Sequence, residues 1–307
     1  MGLFKGCGDS PRGNVRGKVV LITGPARGIG AGLAKCLAEQ GAKPALVGLE
    51  PGEMDKVALD CGPDAEAWTA DVTKWDDLEK AVTGVVERFG GIDIVIANAG
   101  IAATGLTRSI HRPAFEKVIE VDLLGVWKTF RVCLPHVIER RGYLLAISSL
   151  AAIVHLPGNA AYSAAKAGVE AFANSLRAEV RHLGVAVGVA HPTWIATDMV
   201  NSADEHPVFG PMRKAAPGAF SKTHPPSVAI DLISAGVANR ARAIHVPRWV
   251  GVLKLIRAVL PRVIELGSRR MVATADKAAI EDIAKRGEEE ASMVGPGSRA
   301  ARGLAVD

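Results

Sequence analysis

Four cysteines among 307 residues (Cys7, Cys36, Cys61, Cys133) are few and scattered, and no two form a Cys-x-x-Cys pair. No histidine pair stands at metal-ligand spacing either. That pattern argues against a disulfide frame and against a zinc site, and it leads us to expect reduced thiols, no metal and a cytoplasmic protein. Nowhere do about 18 uncharged apolar residues run together, so a membrane-spanning helix is not expected. Residues 1–15 are rich in glycine and polar side chains and lack a long apolar stretch. They read as a flexible segment rather than a secretory signal. No internal repeat or low-complexity tract is present. The net charge of +5 is modest, so charge can matter only where it is concentrated.

What is present is a substantial apolar complement, 49% of the residues against 22% charged, the balance of a globular chain with a large core. From Lys18 onward, short apolar runs alternate with helical patterns. Strands are predicted at 18–23, 44–48, 65–72, 92–97, 143–148 and 185–190. Helices are predicted at 28–40, 75–89, 113–140 and 161–183, the third interrupted near Gly125 and Pro135. Strands separated by helices of this length imply right-handed βαβ units. The fold class is therefore α/β, a doubly wound parallel sheet with helices on both faces, in a single domain over roughly 16–250. Residues 193–226 show little periodicity and read as a lid. A basic helical extension is expected over 251–287, and a disordered tail over 288–307.

Two constellations carry chemistry. The first predicted strand runs into Thr23-Gly24-Pro25-Ala26-Arg27-Gly28-Ile29-Gly30 and then a helix. Glycine is needed where backbone must approach a pyrophosphate closely, and the first N–H groups of the following helix then face the anion. The second is Tyr162-Ser163-Ala164-Ala165-Lys166, in which a phenol and an ammonium four apart share one helix face. A phenol titrates too high to shuttle protons at neutral pH, and a neighbouring ammonium favours its anion. Ser149 precedes Tyr162 by thirteen positions, just after a strand.

The Gly-x-x-x-Gly-x-Gly spacing with Ser149, Tyr162 and Lys166 resembles the classical branch of the short-chain dehydrogenase/reductase family. Three further motifs agree in order: Asp71-Val72, Asn98-Ala99-Gly100 and Pro192-Thr193-Trp194-Ile195-Ala196-Thr197. The resemblance implies a Rossmann fold and an NAD(P)-dependent oxidoreductase acting on CH–OH. It implies cofactor contacts at Gly24, Ala26, Arg27, Gly28, Ile29, Gly30, Asp71, Val72, Asn98, Ala99 and Gly100, with Pro192, Ile195 and Thr197 at the nicotinamide. By the family's mechanism Ser149 orients the carbonyl, Tyr162 exchanges the proton, and Lys166 lowers the tyrosine pKa and grips the ribose. A homodimer or homotetramer is implied as well.

The sequence departs from the family at three places. Asp122 stands where the family has a catalytic Asn that supports a water relay to the lysine. Thr193 replaces a glycine after Pro192. Gly48 falls where NAD-preferring members carry an acid, which together with Arg27 leans toward NADP, whereas Glu50 two positions on can take the acid's place.

Leu150, Trp194 and Met199 are mostly bulky apolar candidates for a substrate wall, with His155 as a polar contact. They favour a lipophilic ketone or alcohol of steroid, terpenoid or fatty-chain type. Between Arg240 and Arg270 stand eight Arg/Lys against the single acid Glu265. Trp249, Val252, Leu253, Ile256, Leu260 and Val263 recur there at helical spacing, with Pro261 expected to kink or end the helix. Such a segment either packs on the domain as a lid or dimer element or contacts an anionic membrane surface. Nothing in it reads as a nucleic-acid motif. Functions outside catalysis that fit the same sequence are a nucleotide-binding sensor and a peripheral membrane protein with this fold.

Overall fold

A computed structural model describes residues 15–303. The chain opens with β1 (Val19–Thr23), α1 (Gly28–Glu39), β2 (Lys43–Gly48), α2 (Pro51–Cys61), β3 (Glu66–Thr69), α3 (Trp75–Phe89) and β4 (Ile94–Ala97). It continues through β5 (Ala102–Ala103), α4 (Arg112–Ile119), α5 (Gly125–Glu139), β6 (Tyr143–Ile147), α6 (Ala160–Val180) and β7 (Ala186–Pro192). The last part holds α7 (Asp198–Glu205), α8 (Phe209–Lys214), α9 (Pro226–Ala238), β8 (Ala243–Val246), α10 (Val250–Leu253), α11 (Leu260–Arg286), β9 (Met293–Val294) and α12 (Gly295–Ala300).

Seven strands form one parallel sheet in the order β3-β2-β1-β4-β6-β7-β8. Every residue of β1, β4 and β6 is buried, because helices cover both faces and the strands therefore need apolar side chains on both sides. The period of two sorts them. Val19 and Leu21 point into the layer that holds Phe130, Leu144 and Val169. Val20 and Ile22 point into the opposite layer with Leu33, Leu37 and Ile233. Each such side chain contributes roughly 1.5–3 kcal/mol by burial. The chain winds outward from β1 in both directions, so the carboxyl ends of β1 and β4 flank the crevice where such sheets bind ligands.

The structure corrects several expectations. α5 runs continuously across Pro135, and the break near Gly125 is a single π turn over Glu120–Leu124. Residues 193–226 are not irregular but hold α7 and α8. Pro261 starts α11 rather than ending a helix, since a first-turn residue needs no N–H partner. The sequence of the tail predicts disorder from residue 288, yet 288–303 folds back: β9 pairs antiparallel with β5 and α12 follows it. Burial of Val294 beside Ala102 and Phe209 supplies the reason. The expectation for 1–15 lies, but for Val15, outside the described residues, as does that for 304–307. Cys61 and Cys133 are free, and Cys7 lies outside the described residues.

Candidate active site

At the end of β1 the backbone of Gly24 turns through φ +63°, and a Cβ there would lie 2.7 Å from Ala99 Cα. A Cβ on Gly30 would lie 2.4 Å from the Gly24 carbonyl oxygen and 2.6 Å from Asn98 Nδ2. Only hydrogen fits at either position. Asn98 holds the turn from the neighbouring strand: its Nδ2 donates to the carbonyls of Thr23 at 3.1 Å and Gly24 at 3.0 Å. Thr23 Oγ1 in turn accepts from the backbone N–H of Asn98 and Ala99, each at 3.1 Å. The two strands are thereby clipped together at the switch point. α1 starts immediately after, with no side-chain cap on its first N–H groups. An uncapped helix start bordering a cleft is suited to a phosphate.

The cleft extends on both sides of this turn and is lined by Gly24, Ala26, Arg27, Gly28 and Ile29 at its floor. Asp71, Val72, Glu50 and Gly48 form one end. Arg27 and Glu50 are ion-paired there. Asp71 does not point freely into the space, because its Oδ1 accepts from the N–H of Thr73 at 2.9 Å and from its hydroxyl at 2.7 Å.

At the other end stand Ser149, Tyr162 and Lys166. Ser149 leaves β6 in extended conformation, its Oγ accepting from Ala151 N–H at 3.1 Å. Tyr162 and Lys166 lie one turn apart on α6, with Nζ 5.3 Å from the centre of the phenol ring. Lys166 is buried. Its Nζ donates to the Ile147 carbonyl at 3.2 Å and lies 3.0 Å from Asp122 Oδ2. Asp122 Oδ2 meets the ammonium as an ion pair outside hydrogen-bond alignment. Its Oδ1 accepts from Ile101 N–H at 2.8 Å, tying the catalytic-side cluster to the segment after β4.

These charges set one another. Burial pushes the Tyr162 phenol above its ordinary value; the Lys166 ammonium opposes it, Asp122 reinforces it, and a hydrogen bond with Ser149 opposes it. Burial alone would lower Lys166, but the Asp122 carboxylate and Tyr162 hold it above the ordinary range. Burial likewise raises Asp122 against the pull of Lys166 and the Ile101 N–H. A full positive charge beside the phenol is thus largely compensated by a full negative one.

Asn98, Ala99, Gly100, Pro192, Ile195 and Thr197 line the cleft. Gly30 lies behind the turn and Asp122 behind Lys166. Met199 lines the cleft, and Trp194 packs beside it with Tyr162 and Phe209. Two expected substrate contacts are corrected. Leu150 is turned away by the short helical turn Leu150–Ala152 and packs against Val250 and Leu253. His155 is exposed outside the cleft. Sequence reasoning missed the tail: Val294, Gly295, Pro296 and Ala301 also line the cleft, with Val294 paired to Ala102 and Gly295 against Met199. Ser298 Oγ lies 2.7 Å from the Ala102 carbonyl and 2.8 Å from that of Val294 and donates to one at a time. The sole signal was the short apolar pair Met293-Val294 before Gly-Pro-Gly. Among the described residues no group of three His, Cys, Asp or Glu could hold a metal.

The family model described as short chain dehydrogenase matches residues 18–207. The chain is 36% identical over 215 residues to (-)-trans-carveol dehydrogenase of Rhodococcus erythropolis, covering 64% of this chain and 78% of that one. It is 30% identical over 271 residues to 11-beta-hydroxysteroid dehydrogenase 1A of Arabidopsis thaliana, covering 85% and 77%. Among solved structures, the 3-ketoacyl-(acyl-carrier-protein) reductase of Brucella melitensis complexed with NADH superposes with a TM-score of 0.67 at 26% identity, over 75% of this chain and 97% of that one.

Proposed function

The chain belongs to the short-chain dehydrogenase family, and from that premise we propose that it interconverts a ketone and a secondary alcohol on a lipophilic substrate. The observation that carries the reading is the cluster of half-buried Ser149 and Tyr162 with buried Lys166 at one end of a cleft that begins at an uncapped helix start. A nicotinamide dinucleotide fits the cradle, because Gly24 and Gly30, where a Cβ would strike Ala99, the Gly24 carbonyl or Asn98, allow the tight turn that brings backbone and the uncapped start of α1 to the cleft, and when bound it supplies or accepts the hydride. Ser149 holds the substrate oxygen. Tyr162 gives the proton to that oxygen during reduction and takes it back during oxidation. Lys166 grips the ribose hydroxyls and counters the burial of the phenol. Asp122 keeps Lys166 charged and in place. Apolar walls at Met199, Trp194 and Val294 exclude water and suit a steroid-, terpenoid- or fatty-chain-like compound. Relatives named for carveol and for a hydroxysteroid support that class. Assembly into a homodimer or homotetramer is part of the same proposal.

For the cofactor, Gly48 and Arg27 support a lean toward NADP. The Arg27–Glu50 pair favours a second reading, NAD, because a carboxylate held beside the adenosine end repels a 2′-phosphate and accepts from a 2′-hydroxyl. Glu50→Gln separates them: it is expected to raise affinity for NADPH relative to NADH about tenfold, or ~1.4 kcal/mol. An unchanged ratio removes Glu50 from selection.

The test of the whole reading is fluorescence titration with NADPH and NADH, followed by turnover of lipophilic ketones. Tyr162→Phe should keep dinucleotide binding and lower kcat on the order of 10²–10⁴-fold. Binding of neither dinucleotide, or turnover that survives the substitution, overturns it.

A further inference from the structure

The extension after β8 has two faces of opposite character. Its inner face is packed: Val250 and Leu253 are buried against Leu150, Ile153 and Val154, with Trp249, Leu260 and Ile264 alongside. Its outer face is bare. Val252, Leu255, Ile256, Val259, Val263 and Leu266 are all exposed, from 48% at Ile256 to 85% at Leu255. Half of the large apolar side chains exposed among the described residues therefore stand within 252–266. Hydrogen bonds from Leu255 N–H to the Val252 carbonyl, from Val259 to Ile256 and from Val263 to Val259 carry the chain through successive turns into α11. On α11 the i±3 and i±4 neighbours of Leu266 are Arg262, Val263, Arg269 and Arg270.

The cations divide between the same two faces. Lys254 lies 2.7 Å and Arg257 3.4 Å from Glu170 Oε1, so both are held toward the domain. Arg262, Arg269 and Arg270 are exposed around the apolar row, where the one acid is Glu265.

We propose that this outer face, Val252–Arg270, docks the protein on the surface of an anionic lipid bilayer. Apolar side chains ringed by arginines match a surface whose interior is apolar and whose headgroups are negative. A second copy fits worse, since a symmetric contact would bring six arginines together against two glutamates as it closed. The segment lies on the membrane rather than crossing it, for no helix among the described residues is long and apolar enough to span one. Its inner face touches the turn directly after Ser149, so docking would set the catalytic cleft beside the bilayer. That last link rests on the lipophilic-substrate reading; the docking itself does not.

Flotation of the full chain with vesicles tests the proposal, comparing equal parts of phosphatidylglycerol and phosphatidylcholine with phosphatidylcholine alone. The chain should float with the mixed vesicles, stay behind with neutral ones and be released by high salt. The triple variants Leu255→Ser/Val259→Ser/Leu266→Ser and Arg262→Glu/Arg269→Glu/Arg270→Glu should each lose binding about tenfold or more. An unchanged melting temperature in both variants shows that they fold. Failure of the parent chain to float, or binding indifferent to both variants, overturns the proposal. So does a serine variant that turns from dimer to monomer while the parent chain ignores vesicles, which assigns the face to a second copy. No arm uses substrate, so the dehydrogenase reading can fail or stand independently.

Discussion

The two tyrosines of this chain have opposite roles written in their surroundings. Tyr143, fully buried on β6, donates its hydroxyl to the Ala241 carbonyl at 2.7 Å, whereas Tyr162 faces the cleft beside Lys166. Tyr143→Phe should therefore cost about 1 kcal/mol of stability and leave turnover intact, as melting and kinetics would check. Asp122 offers a sharper test. It pushes the Tyr162 phenol upward, so Asp122→Asn should let the phenol ionise at lower pH. In the oxidation direction, where Tyr162 must accept a proton, the rising limb of the pH–rate profile should move to lower pH. A move to higher pH would show that Asp122 acts on Tyr162 mainly by keeping Lys166 charged. At the glycine turn, Gly30→Ala places a methyl against the Gly24 carbonyl and the Asn98 amide. Dinucleotide affinity should fall at least about tenfold, and an unaltered Kd would mean that the turn yields.

Among the elements, the β9–α12 segment is the one whose removal should be felt furthest from where it is attached. It reaches the cleft only because β9 pairs with the two-residue β5, itself just after the Asn98-Ala99-Gly100 turn. Gly295 lies close to the first turn of α7, a Cβ on it meeting Met199 Cα at 3.3 Å, so the tail bridges the two loops that border the cleft. Truncation after Ser292 should raise KM for an apolar ketone roughly tenfold, the worth of some 55 Å² of apolar contact at about 25 cal/mol/Å². Equal KM in the truncated and full chains would make the tail a surface wrap. α6 works differently. Its successive inward turns present Tyr162, Lys166 and then Glu170, so one helix serves both the cleft and the docking of the extension.

At the scale of the molecule, that docking rests on a buried polar cluster. Glu170 meets His191 Nε2 at 3.1 Å and Lys254 at 2.7 Å, and His191 stacks on His245. Burial opposes ionisation of Glu170, yet its bonds to His191 and Lys254 hold it at about 2. Burial also lowers His191, so the ring is neutral near neutral pH and Lys254 supplies the compensating charge. Both shifts have the same consequence. A carboxyl depressed from 4.5 to about 2 contributes stability above its unfolded value and loses it as pH falls toward 2. A histidine depressed below 6.5 contributes stability above that value and loses it on acidification. Melting temperature should decline from about pH 6.5 downward, and Glu170→Gln should flatten the part below 4.5 while costing roughly 2 kcal/mol at neutral pH. A profile identical in the variant would detach Glu170 from stability.

Much of this was legible in the residues. Short continuous apolar runs rich in β-branched residues read as strands covered on both faces, so β1, β2, β4, β6 and β7 follow from local chemistry, as do α1, α3 and α6, whereas α2, α9 and β8 were not read from the sequence. The glycine turn and the Tyr162–Lys166 pair are local as well, one needing hydrogen in place of Cβ and the other one helical turn. What tertiary structure decided is everything that depends on distant partners. Arg27 and Glu50 have no sequence pattern that pairs them, and Asp122 meets Lys166 across 44 positions only because α6 crosses the end of the π turn. Leu150 looked like a substrate wall until the extension took its side chain. The tail, polar and glycine-rich, carries too little apolar area to fold alone; it is ordered because β5 offers it an edge and the cleft offers Val294 a place to be buried.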